Sequence, residues 1–130
     1  NQEVVHTSTF AGAPLACGAA LALLDELSRK RLAERAARVG ESWREAMRKQ
    51  LEGSGAQVRG AGLMVGIELG GAPGNAAELQ TRLLERGYIV STGGGAREVA
   101  VLTPPLTISE ELLEGFVREL ARAVAGLSGP

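Results

Sequence analysis

The stretch Leu15-Ala16-Cys17-Gly18-Ala19-Ala20-Leu21-Ala22-Leu23-Leu24 presents no polar face on any winding of the backbone. Pro14 suits the first position of a helix, where its missing N–H would be unpaired anyway, and the pattern predicts a helix over 14–28. A helix that is apolar all round has to be covered by other protein or by lipid. The run ends at Asp25 and Glu26, short of the roughly 20 apolar residues that span a bilayer. The other residues of a 130-residue chain offer little to cover it. This one feature therefore implies a further domain or a partner subunit.

Downstream, the periodicities are more conventional. Leu32, Ala36, Val39, Trp43, Met47 and Leu51 recur at three- and four-residue steps, which predicts a helix over 30–51 ended by Gly53 and Gly55. Val58 to Leu69 carries short β-like stretches broken by Gly60, Gly62 and Gly66. Asn75 and Glu78 fit the start of a third helix, with Leu79, Leu83 and Leu84 inward and Gly87 as its stop. Tyr88–Ser91 and Val99–Leu102 suggest two strands joined by the Gly93-Gly94-Gly95 turn. A last helix starts near Ser109, with Leu112, Phe116, Leu120, Val124 and Leu127 as its apolar stripe. The order of elements predicts an α+β fold, a small antiparallel or mixed sheet with helices on one face. The last two strands sit too close together for a crossover helix, which counts against a parallel sheet.

Charge excludes some partners. Fifteen acids face fourteen bases, for a net charge of -1, so nothing points to nucleic acid or an anionic membrane. The basic run Arg29-Lys30-Arg31 is followed by Glu34 and Arg35 and has the look of a solvated helix face. A single cysteine, Cys17, cannot form an internal disulfide, and its Ala-rich surroundings predict a small buried residue. No signal peptide is visible, and a cytoplasmic protein is expected. The opening NQEVVHTSTF resembles the middle of a longer chain, so a fragment is expected, although a processed chain would look the same.

Few residues could carry chemistry. His6 is the only histidine, and no acid is obviously placed to orient it in a triad, so a loop histidine with a structural hydrogen bond is the simpler reading. One His and one Cys cannot supply a tetrahedral metal site. The GGGAR stretch at 93–97 lies between strands and opens no helix, which favours a turn over a phosphate cradle. Ser8 and Thr9 are more informative. Their hydroxyls and neighbouring N–H groups, just before a helix, could hold an oxyanion or a phosphate, or could merely cap the helix.

Three segments in register carry a resemblance. HTSTFAGAPLACGAALALLDEL (6–27), RGAGLMVGIEL (59–69), and LLERGYIVSTGG followed by VLTPPLTISEELL resemble the class-III pyridoxal-phosphate aminotransferases over nearly the whole chain. That family includes acetylornithine, ornithine and 4-aminobutyrate aminotransferases. The resemblance implies the C-terminal small domain of a fold-type-I enzyme at 29–130, with 1–28 as the tail of a missing large domain. It implies a homodimer in which Thr9, with Ser8 as a weaker candidate, reaches the cofactor phosphate of the neighbouring subunit. The reaction implied moves an amino group between an amine or amino acid and a 2-oxo acid. An aminomutase or racemase of the same fold, or a non-catalytic domain using helix 14–28 as a dimer surface, are the alternatives.

Two positions depart from the family pattern. Ala13 stands where the family usually has Asn. Val101 stands where ornithine and 4-aminobutyrate enzymes usually carry the arginine that forks onto the substrate carboxylate. Arg97, beside the three-glycine turn, is the nearest substitute for that clamp. Lys30 and Lys49 are the only lysines, and neither matches the family's cofactor-bearing lysine, expected upstream of Asn1. Treating this chain with pyridoxal phosphate and borohydride is accordingly expected to give scattered, substoichiometric lysine adducts and no amino transfer. One stoichiometric adduct accompanied by turnover contradicts this expectation.

Overall fold

Helix α1 (Pro14–Arg29) follows a tight turn rather than a side-chain cap. Its N-cap residue is Ala13, which offers no hydroxyl or carboxylate; the Ala13 N–H donates to Phe10 O at 3.0 Å, and the Cys17 N–H to Ala13 O at 2.9 Å. At the other end the Lys30 N–H donates to Glu26 O, while the Glu26 side chain ion-pairs with Lys30 and Arg29. Hydrogen bonds from Lys30 and then Arg29 hold the Glu26 carboxyl below its ordinary range. The basic run is thus paired along the helix end, as a solvated face would be. None of the residues of α1 is buried: Leu15 is 88% exposed, and Leu21, Leu23 and Leu24 are exposed as well. Cys17 is also exposed, contrary to the expectation of burial, because nothing within its own compact unit covers this helix.

The computed structural model describes residues 9–70, 75–95, 98–125 and 127. They fall into two compact units, Asn1–Leu32 and Ala33–Pro130. The second unit holds most of α2 (Leu32–Gln50), then β1 (Gln57–Ala61), β2 (Met64–Glu68), α3 (Asn75–Glu85), β3 (Ser91–Gly93), β4 (Val99–Leu102) and α4 (Glu110–Ala125). The four strands form one sheet in the order β1-β2-β4-β3, every neighbouring pair antiparallel. The α+β expectation holds, and the sheet is antiparallel rather than mixed.

Period-two alternation divides the sheet. Val65 and Ile67 of β2 pair with Leu102 and Ala100 of β4, and all four are buried. They meet Val39, Trp43 and Met47 of α2, Leu79 and Leu83 of α3, and Leu113, Phe116 and Leu120 of α4 in one core. The three helices therefore cover one face. Burying each such Leu or Ile contributes about 1.5–3 kcal/mol. The aromatic residues sit at the centre: Phe116 meets Trp43 and Tyr88 edge-to-face, with ring centroids 5.6 and 5.3 Å apart.

Three local expectations need correction. Leu84 and Leu112 are exposed, at 58% and 59%; Ala76 in α3 and Leu113 and Ala123 in α4 face inward beside the predicted Leu79, Leu83, Phe116, Leu120 and Val124. Strand β3 starts at Ser91, because Tyr88 turns onto Phe116 and Val90 O accepts from the Gln80 side chain at 2.7 Å instead of from a strand.

The tightest junction is between α2 and the β1–β2 turn. Gly40 lies so close that a Cβ there would sit 2.0 Å from Gly62 O. Gly62, at φ +53°, turns that carbonyl toward the helix, and the guanidinium of buried Arg44 donates to it while ion-pairing with Glu41. The Gly40→Ala variant is expected to be less stable in urea, since overpacking costs about 1–3 kcal/mol and helix propensity recovers only about 1 kcal/mol. Gly18→Ala in α1 meets nothing within 4 Å and is expected to be neutral or stabilising in the same measurement. Equal midpoints for the two variants contradict the close approach.

Candidate functional site

The sheet face away from the helices carries Gln57, Arg59 and Ala61 on β1, Met64, Gly66 and Glu68 on β2, Val99 and Val101 on β4, and Ser91 and Gly93 on β3. This assignment follows from the register and the alternation. One row crosses all four strands: Arg59 pairs with Gly66, Gly66 with Val101, and Val101 with Ser91. Gly66 leaves a notch in the middle of that row. A Cβ there would meet Val99 Cγ1 at 3.1 Å and Arg59 Cγ at 3.9 Å. The result is a shallow trough of ≈ 310 Å³, walled by Met64, Val99 and Val101 and bordered by Arg59.

Arg59 is the only basic residue carried by the four strands. Its Nε lies 3.5 Å from a Glu68 carboxylate oxygen, diagonally across the β1–β2 pair, and both side chains are largely exposed. An exposed pair of this kind contributes little to stability, about 0–1 kcal/mol. The guanidinium is thus held loosely over the trough and keeps donors free to be shared with another anion.

Val101 also borders a second hollow of ≈ 390 Å³, formed with Ile89, Ser91, Pro104, Pro105 and Phe116. Ile89 is 90% exposed at its edge. The Pro104-Pro105 segment beyond β4 is pinned from α2, where the two Nη atoms of Arg35 donate to Leu106 O and Ile108 O, each at 2.6 Å. Trp43 Nε1 donates to Leu113 O at 3.1 Å, fixing the start of α4. Valine at 101 presents only methyl groups on this surface and cannot ligate a carboxylate.

The residues singled out from sequence do not all fall in described structure. Thr9 is exposed in the turn before α1 and does not cap that helix, whose cap is Ala13. Ser8, His6 and Arg97 lie outside the described residues. Lys30 is ion-paired to Glu26, and Lys49 is exposed in the last turn of α2. Among the described residues no group of three or more His, Cys, Asp or Glu could hold a metal ion, and no helix is long and apolar enough to cross a membrane. Arg59, a lone arginine in an Arg-Gly-Ala-Gly run, stands out only once the strand register is known.

Comparison with known proteins agrees over nearly the whole length. The pattern of the class-III aminotransferases matches residues 1–124. The acetylornithine aminotransferase of Methanothermobacter thermautotrophicus is 35% identical over 124 residues, which is 94% of this chain and 30% of that protein. Among solved structures, an acetylornithine aminotransferase from Elizabethkingia anophelis superposes with a TM-score of 0.81 at 32% identity, covering 97% of this chain and 32% of its own. An ornithine aminotransferase from Plasmodium yoelii superposes with a TM-score of 0.84 at 28% identity, covering 98% of this chain and 34% of its own. The chain thus spans about a third of the length of the proteins it matches.

Proposed function

The chain belongs to the class-III aminotransferases, and on that premise we propose that it forms the C-terminal part of a pyridoxal-phosphate enzyme. That enzyme moves an amino group between an amine or amino acid and a 2-oxo acid. The observation that carries the reading is the match of the family pattern over residues 1–124, which takes in the HTSTF segment and most of the last helix. In this proposal 29–130 is the small domain, and 1–28 is the tail of a large domain that also supplies the cofactor-bearing lysine. The uncovered Leu residues of α1 support a helix that is covered by further protein in the larger enzyme, which in this reading is dimeric and cytoplasmic.

The roles of the chain's own residues follow. Thr9, through its hydroxyl and backbone N–H, and Ser8 beside it hold the cofactor phosphate; the exposed turn and the independent capping of α1 at Ala13 leave Thr9 fit for that task. Pyridoxal phosphate, when bound, supplies the electron sink that lets a proton leave the carbon next to the amine. The apolar open sheet face, with Val99 and Val101, shields that carbon from water. Arg97 swings in to hold the carboxylate of a 2-oxo acid and out for an apolar amine.

The complete enzyme, given an amine and a 2-oxo acid, is expected to convert its cofactor between the pyridoxal and pyridoxamine forms, with a new amino acid as product. An isomerised substrate with no oxo acid consumed identifies an aminomutase or racemase instead. Thr9→Ala is expected to weaken cofactor affinity about ten- to hundredfold, the loss of a charge-assisted hydrogen bond of about 1.5–3 kcal/mol, with unchanged circular dichroism. Unaltered cofactor retention after dialysis removes Thr9 from the site. Arg97→Ala is expected to raise KM for the 2-oxo acid and spare simple amines; equal effects on both substrates leave the clamp elsewhere.

A further inference from the structure

We propose that Arg59 is a carboxylate-binding residue, and that the trough over Gly66 seats the carboxylate and short apolar stem of the acid substrate. The site is built from three strands. Arg59 lies at one end of the cross-strand row, Gly66 removes the side chain that would fill the middle, and Val101 closes the far side. Two strand spacings, about 10 Å, separate the backbones of Arg59 and Val101, which is room for a guanidinium, a carboxylate and a few carbons. Met64 and Val99 supply apolar walls for those carbons.

Charge sets the direction of the ligand. Glu68 partly neutralises Arg59 at 3.5 Å, so the guanidinium exchanges one exposed carboxylate for another when the ligand enters. Glu98 is the other acid at this rim; its carboxylate oxygen would lie 2.5 Å from a Cβ built on Gly94. A ligand therefore enters with its carboxylate toward β1 and away from Glu98. That arrangement makes Arg59, on β1, a carboxylate contact additional to the one proposed for Arg97, and it rests on the proposed aminotransferase reading only for the identity of the ligand.

The test needs no cofactor. The 130-residue chain is titrated with 2-oxoglutarate while backbone amide shifts are followed by NMR, with 2-butanone as the uncharged control. Saturable shifts at Gly66, Val99 and Val101 with 2-oxoglutarate and none with 2-butanone are expected. Arg59→Gln is expected to weaken binding about tenfold or more, as one charge-assisted hydrogen bond is lost, and Glu68→Gln to strengthen it, because the guanidinium loses its competitor. A purely structural ion pair would instead make the two variants alike. Absent shifts in the parent chain, shifts unchanged in Arg59→Gln, or equal weakening in both variants overturns the proposal, with circular dichroism checking that each variant is folded. Failure of the aminotransferase reading shows separately, as absence of cofactor-dependent amino transfer by the complete enzyme.

Discussion

Strand β2, one of the two inner strands, is paired on both edges, and its two-residue alternation decides what the elements around it do. Val65 and Ile67 point into the helices; Met64, Gly66 and Glu68 point away. A one-residue slip would exchange these sets and place Glu68 in the core. The register is held at one end by the two-residue turn at Gly62-Leu63, where α2 approaches to backbone contact and Arg44 donates to Gly62 O. Among the described residues Arg44 is the one buried polar side chain, and its ion pair with Glu41 reaches toward solvent, so its charge is not stranded. Because that turn is fixed, the row of Arg59, Gly66, Val101 and Ser91 is fixed with it.

The helices and the sheet class were legible in the sequence, and their edges were not. The stripe Ala36, Val39, Trp43, Met47 and Leu51 is buried as its spacing predicts, and the three-glycine turn does join two antiparallel strands. Leu84 and Leu112 were misplaced because each neighbours a second leucine, and periodicity cannot choose between adjacent apolar residues when both fit. Tyr88 and Ile89 have strong strand propensity, yet Tyr88 packs on Phe116 and Gln80 takes the carbonyl of Val90. Tertiary contacts overrode propensity there.

The site was legible only in part, for a different reason. Thr9 stood out because hydroxyls before a helix are a local pattern, and the structure adds that Ala13, not Thr9, is the cap. The meaning of Val101 came from resemblance alone. Arg59 shares its row with Val101 although 42 positions separate them in the chain (101 minus 59), and only strand pairing brings them together. The face of α1 shows the converse: its lack of a polar side was plain from residues 15–24, and its uncovered leucines repeat that in three dimensions.

The bonds from α2 to the far end of the unit have a kinetic meaning. Arg35 reaches carbonyls 71 and 73 positions further along the chain, and the Trp43 indole finds its acceptor 70 positions on. These are long-range contacts, so loop closure has to be completed before the groups are satisfied. An emerging chain holds a wetted indole and a loose guanidinium until the residues of α4 have been synthesised. Truncation before Leu113 would leave the Trp43 N–H without its acceptor and Phe116 absent from the centre of the core, so this core cannot close until α4 has been made.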